Sequence, residues 1–130
     1  MPVPLRSKAE GQATMQFLII LNDAPYGSER SYNGLRLAAS LAKQHATTVS
    51  VFLIGDAANC AIAGQTTPNG YYNIERMIKG IAAKGAPVGI CGTCMDARGI
   101  RPEMVIEGTK RSTMDELTRW TMQADKVLVF

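Results

Sequence analysis

The sequence has a single histidine, only three cysteines and no apolar run longer than Phe17–Leu21. Each shortage excludes something. A membrane-spanning helix needs roughly 18 or more consecutive apolar residues, so none is encoded. The stretch Met1-Pro-Val-Pro-Leu-Arg-Ser-Lys8 lacks the apolar segment of an export leader, and three thiols are too few for a disulfide scaffold; a cytoplasmic protein is expected. Neither G-x-G-x-x-G nor a phosphate-loop pattern occurs, so no nucleotide or other cofactor is implied. The 14 basic residues exceed the 11 acidic ones by three but are scattered along the chain, which does not make a nucleic-acid surface. The ligand count alone would allow a Cys₃His zinc site. Yet His45 follows a predicted helix and precedes a predicted strand, at the end of the sheet away from the cysteines, so no metal site is expected. His45 suits the last carbonyls of that helix instead.

What is present is an alternation of strands and helices within 130 residues, 46% of them apolar, enough for one compact core. Residues 1–14 show no periodicity and read as an extension. Met15–Leu21 is a nearly continuous apolar run, the mark of a strand covered on both faces. Asn22–Glu29 is a turn-rich loop, with Ser28 the predicted cap of a helix to about Gln44. Inside that helix Gly34 costs about 1 kcal/mol relative to alanine, which implies close approach to a neighbouring backbone. Thr47–Ile54 is a second strand, Ala57–Ala63 one or two helical turns carrying Cys60 as a packed thiol, and Tyr72–Lys84 a helix closed by Gly85. Val88–Ile90 is a third strand and Met104–Ile106 a short fourth. Thr113 or Ser112 caps a helix through Gln123, and Val127–Phe130 is a buried closing strand. The expected fold is a three-layer α/β/α sandwich around a mainly parallel sheet of about five strands.

In such sheets ligands gather beyond the carboxyl ends of the strands. The loops at 22–28, 55–70 and 91–99 all leave those ends, so Tyr26, Cys60 and Cys91 belong to one rim. The richest stretch is Val88-Gly-Ile-Cys91-Gly-Thr-Cys94-Met-Asp-Ala-Arg98-Gly99. It ends a strand, turns at Gly92 and starts a helix, with Thr93 and Asp96 as predicted capping pair and Gly99 and Pro102 as the stop. Backbone N–H groups at a helix start favour an anion by roughly 0.3–2 kcal/mol. At about 1.36 kcal/mol per pKa unit, a thiol near 8.5 would fall to about 7–8. Arg98, seven residues after Cys91, adds a favourable charge, and Asp96 opposes it. Tyr26-Gly27-Ser28 is a candidate anion cradle, although taken alone it reads more simply as a loop with a helix cap. The C-x-x-C spacing keeps a dithiol oxidoreductase open, and a non-catalytic module binding a small ligand or a partner between Tyr26 and Cys91 is the other alternative.

Several motifs recurring in order, Ala24-Pro-Tyr26-Gly27-Ser28-Glu29, Gly70-Tyr-Tyr-Asn-Ile74, Cys91-Gly-Thr-Cys94 with Asp96-Ala-Arg98-Gly-Ile100, and Trp120 through Asp125-Lys-Val-Leu128, resemble the DsrE/DsrF-like family over about residues 15–130, and within it the small YchN-like members. The resemblance implies a parallel-sheet α/β sandwich, self-assembly into trimers that pair as hexamers, and, as in the sulfur-relay members, a persulfide-carrying cysteine that matches Cys91. It makes a cytoplasmic sulfur carrier or sulfurtransferase the expected function, with protein sulfur donors and acceptors as partners. Cys94 is shared with the YchN-like members only. Tyr71, Tyr72, Met77 and Met114 are expected on an interface between copies.

Overall fold

The computed structural model describes residues 14–130, so all but Thr14 of the expected extension lies outside the described residues. Five strands, β1 (Met15–Leu21), β2 (Thr47–Leu53), β3 (Val88–Cys91), β4 (Thr109–Ser112) and β5 (Lys126–Val129), form one sheet in the order β4-β3-β2-β1-β5. Every pairing is parallel. Four α-helices join them: α1 (Arg30–Ala42), α2 (Ile74–Ala83), α3 (Gly92–Ala97) and α4 (Met114–Gln123), with 3₁₀ segments at Gly55–Ala61 and Pro102–Met104. None of the described helices is long and apolar enough to cross a membrane.

The period of two along each strand sorts side chains onto two faces. Ile19, Leu21, Val51, Leu53, Val88 and Ile90 pack with Leu35 and Ala38 of α1 and Ile74, Ile78 and Ile81 of α2. Leu18, Phe52 and Cys91 point the other way, to Leu117 and Trp120 of α4. The Trp120 ring meets Phe52 edge-on, 6.0 Å between centroids. These are the three layers. Helices α1 and α2, with Met95 of α3 and the 3₁₀ segment Gly55–Ala61, cover one face, and the ten-residue α4 packs on the other.

Several local expectations are corrected. Helix α1 ends at Ala42 and begins after Glu29, which makes no side-chain cap. Ser28 instead gives its hydroxyl to the Asp23 carboxylate at 2.7 Å and takes only a long 3.4 Å bond from the Arg30 N–H. Gly34 is required by side chains, not backbone: a Cβ there would run into Leu21 and lie 3.2 Å from the Phe130 ring. Helix α2 starts at Ile74, where Asn73 caps by accepting from the Arg76 N–H at 3.0 Å. The fourth strand is not Met104–Ile106, where Val105 makes only an isolated antiparallel bridge to Ile62, but Thr109–Ser112. The closing strand is an exposed edge, with Val129 63% accessible, although it is tied along β1. There Gln16 N–H donates to the Asp125 carboxylate at 2.8 Å, and Asn22 N–H to the Phe130 carbonyl at 3.1 Å. Tyr71 and Met114 are exposed as expected, whereas Tyr72 and Met77 are half-buried against the α1/α2 core.

Candidate functional site

The β3–α3 turn follows from three local facts. The buried run Val88-Gly89-Ile90-Cys91 places Cys91 at the carboxyl end of β3, on the α4 face. Gly92 then allows the chain to pass against β4, since a Cβ at that position would stand 2.9 Å from both the Arg111 guanidinium and the Ser112 carbonyl. Space, rather than an unusual backbone angle, is what demands glycine. Cys91 itself caps α3, its sulfur accepting from the Cys94 N–H at 3.4 Å, which displaces the expected Thr93–Asp96 cap.

The sulfur of Cys91 therefore faces donors. The Thr93 hydroxyl lies 3.3 Å away and the Cys94 thiol 2.6 Å away. The second distance exceeds the about 2.05 Å of a disulfide, and both thiols are free. Burial pushes the Cys91 thiol up, but hydrogen bonds from the Cys94 thiol, the Thr93 hydroxyl and the backbone N–H groups of Cys94 and Thr93 more than offset it, and the pKa falls below the ordinary thiol value. Cys94 moves the opposite way: burial and its bond to the Cys91 sulfur raise it, against the Gly55 N–H and the Arg98 charge. The two shifts run in opposite directions, so Cys91 is the sulfur of the pair that ionises first and Cys94 the one that donates to it.

Two arginines steady the turn. Arg111, on β4, grips both oxygens of Asp96 at 2.8 and 2.9 Å and donates to the Gly92 carbonyl at 3.0 Å. Arg98 binds the Cys94 carbonyl at 3.2 Å and Asp56 at 2.7 Å, linking α3 to the segment after β2. The family model described as DsrE/DsrF-like matches residues 15–130, the whole of this sheet and its helices. The chain belongs to the DsrE/DsrF-like family. It is 42% identical to protein YchN of Escherichia coli strain K12 over 116 residues, 88% of this chain and 98% of YchN. The crystal structure of the E. coli ychN protein superposes with a TM-score of 0.85, covering 90% of this chain and 100% of that one. An uncharacterized protein of Methanocaldococcus jannaschii is 36% identical over 116 residues, 89% of this chain and its own full length. A Methanobacterium thermoautotrophicum protein of unknown function, at 10% identity and a TM-score of 0.72 over 89% of this chain and 99% of that one, shares the fold.

Within this DsrE/DsrF-like chain the other expected site residues divide. Arg98 donates to the Cys94 carbonyl, and its charge lowers the Cys94 thiol, whereas the causes of the Cys91 shift are burial and the hydrogen bonds of Cys94 and Thr93. Tyr26 is committed elsewhere on the rim: its hydroxyl donates to Gln65 at 2.7 Å and accepts from the Ile74 N–H at 3.1 Å, so it fixes the start of α2. Its ring stacks on Tyr72, which stacks in turn on Tyr32 at 4.1 Å. Gly27 has φ +109, a conformation that glycine tolerates best. Ser28 points at the Asp23 carboxylate, which argues against an anion cradle at Tyr26-Gly27-Ser28. Cys60 is fully buried, its thiol donating to the Asp23 carbonyl at 3.6 Å, and burial drives its pKa up to about 12. Arg111, Asp56 and the Gly55 N–H escaped the sequence; a cation on a strand with no apolar alternation leaves no periodic signal. On α2, the buried Glu75 carboxylate takes the N–H groups of Gly64 and Gln65 at 2.9 and 2.8 Å and pins the loop that follows the 3₁₀ segment.

Proposed function

We propose that this chain is a sulfur carrier whose Cys91 thiolate takes a sulfane sulfur from a persulfide donor and passes it to an acceptor thiol. The observation that carries this reading is the Cys91 sulfur surrounded by the Cys94 thiol, the Thr93 hydroxyl and the Cys94 N–H at 2.6–3.4 Å. In loading, Cys91–S⁻ attacks the outer sulfur of R–S–SH, forms Cys91–S–SH and releases R–S⁻. In delivery, an acceptor thiolate attacks the outer sulfur of Cys91–S–SH, and Cys91–S⁻ leaves. Both steps are exchanges at sulfur without net oxidation. The donors around Cys91 favour both, since they stabilise the attacking thiolate in the first and the departing thiolate in the second. The family resemblance supports the same cysteine, because in the sulfur-relay members the persulfide position matches Cys91.

The 2.6 Å separation of Cys91 and Cys94 favours one second reading, a dithiol oxidoreductase. A binding module between Tyr26 and Cys91 has less support, because the Tyr26 hydroxyl is already engaged and a cavity of about 330 Å³ opens at the amino ends of the strands, between Ala42, Thr47, Lys84 and Pro87, away from both cysteines. Treating the protein with glutathione persulfide and mapping added sulfur by mass spectrometry decides the matter. The carrier reading expects one sulfur on Cys91, none in Cys91→Ser, and loading retained at least in part by Cys94→Ser and by Cys60→Ser. A wild type that cycles between dithiol and disulfide without ever gaining sulfur would establish the oxidoreductase instead.

A further inference from the structure

Resting on the persulfide reading, we propose that Cys94 is the discharging thiol of the site. When no acceptor arrives, its sulfur attacks Cys91 Sγ, expels the outer sulfur as hydrosulfide and leaves a Cys91–Cys94 disulfide. The step balances within the protein. A bond forms between the two cysteine sulfurs and the bond from Cys91 Sγ to the outer sulfur breaks. The Cys94 thiolate supplies the electron pair of the new bond, the pair of the broken bond departs with the outer sulfur as HS⁻, and the proton that Cys94 loses on ionising goes to solvent.

Geometry selects this route. A persulfide offers two electrophilic sulfurs. The Cys94 sulfur lies 2.6 Å from the inner one, Cys91 Sγ, across one turn of α3. Attack there releases hydrosulfide, the conjugate base of a stronger acid than an ordinary alkyl thiol and so a competent leaving group. The attacking sulfur is also provided for. The Gly55 N–H points at Cys94 Sγ from 3.1 Å, and Gly55 holds φ +60, where an L side chain would be strained. Arg98 anchors the Cys94 carbonyl and brings its charge near. As long as Cys91 is a thiolate, its charge keeps Cys94 protonated and idle. Loading replaces that charge with a neutral –S–SH, and the Gly55 N–H and Arg98 then favour ionisation of Cys94. The disulfide left behind needs a dithiol reductant of the thioredoxin class before the next loading, so each discharge converts one sulfane sulfur to hydrosulfide and consumes one dithiol.

The test follows loaded protein after removal of glutathione persulfide by gel filtration. Hydrosulfide is assayed colorimetrically and the cysteine peptides are mapped with time. Wild type should lose its added sulfur, release one hydrosulfide per sulfur lost and gain the Cys91–Cys94 disulfide. Cys94→Ser should keep its sulfur at least about tenfold longer, as expected when an attacking group held in contact is removed. Cys60→Ser should discharge as wild type does. A wild type that holds its sulfur as long as Cys94→Ser overturns the inference and leaves the carrier reading intact; so does appearance of the sulfur on Cys94. If neither wild type nor Cys94→Ser loads at Cys91, the carrier reading falls and this inference with it.

Discussion

Two places on one rim hold a buried cysteine, and they treat it oppositely. Cys60, in the 3₁₀ segment after β2, is wholly enclosed and gives its proton to the Asp23 carbonyl. Cys91, after β3, is 9% accessible, and its sulfur meets the Cys94 N–H, the Cys94 thiol and the Thr93 hydroxyl. Burial raises both thiols, yet one rises to about 12 and the other ends below the ordinary value. The difference teaches that the balance of two effects decides: at Cys60 burial outweighs the lowering hydrogen bonds from Ser31 and the backbone, whereas at Cys91 the hydrogen bonds outweigh burial.

The largest consequence concerns alkaline stability. A thiol whose folded pKa is raised contributes stability that is intact below the ordinary thiol value and is lost between there and about 12, because the unfolded chain ionises first. The full shift at Cys60 corresponds to about 4 kcal/mol, at about 1.36 kcal/mol per unit. Cys60→Ala should therefore be less stable than wild type near pH 7, where it loses packing, and should lose less on going to pH 11, so that the two urea-derived stability curves converge or cross. Curves that stay parallel from pH 8 to 11 would erase the contrast. Cys91 has the opposite sign: its contribution is present above the ordinary thiol value and is lost as pH falls through its lowered one.

Next in size is reactivity. At pH 7 Cys91 should alkylate with iodoacetamide at least about 100-fold faster than Cys60, a ratio set mainly by thiolate fraction. The ratio should collapse in denaturant, and peptide-resolved rates measure both. A Cys91 rate that follows the titration of an ordinary thiol would remove the basis for its chemical role. The smallest effect isolates an element that only the structure reveals. Arg111→Gln should lower the Cys91 rate at pH 7 by about twofold to fivefold, the scale of an exposed cation acting through solvent, without changing Cys60. Arg101→Gln, whose guanidinium pairs with the neighbouring Glu103, is the control that should leave both rates alone.

The same contrast marks what was legible in the sequence. β1, β2 and α2 announced themselves because buried elements carry apolar residues at their own period. Cys91 stands out in the sequence because a strand end, a glycine and a helix start coincide there. β4 was missed because Thr109-Lys-Arg-Ser112 is an edge strand in which Lys110 and Arg111 are exposed, so no alternation records its pairing with β3. Arg111 was missed with it, since it reaches Asp96 across 15 residues of chain that only the sheet brings together. The cap on α3 was misassigned for a chemical reason: sulfur is a weak acceptor, and Thr93 offered the better-known oxygen.

The pairing of β5 with β1 also governs how the chain reaches this state. Residues 16 and 125 hydrogen-bond across a separation of 109 positions, and β1 is the strand flanked by β2 on one side and β5 on the other. Closing so long a loop comes late, because its entropy must be lost before the ladder returns anything. A nascent chain can build β1, β2 and α1 early, from contacts close in sequence. Until residues 125–130 dock, however, β1 shows an open, apolar-flanked edge of the kind that recruits foreign strands. The interval between synthesis of β1 and arrival of β5 is thus when aggregation competes with folding, and it lengthens whenever translation pauses between them.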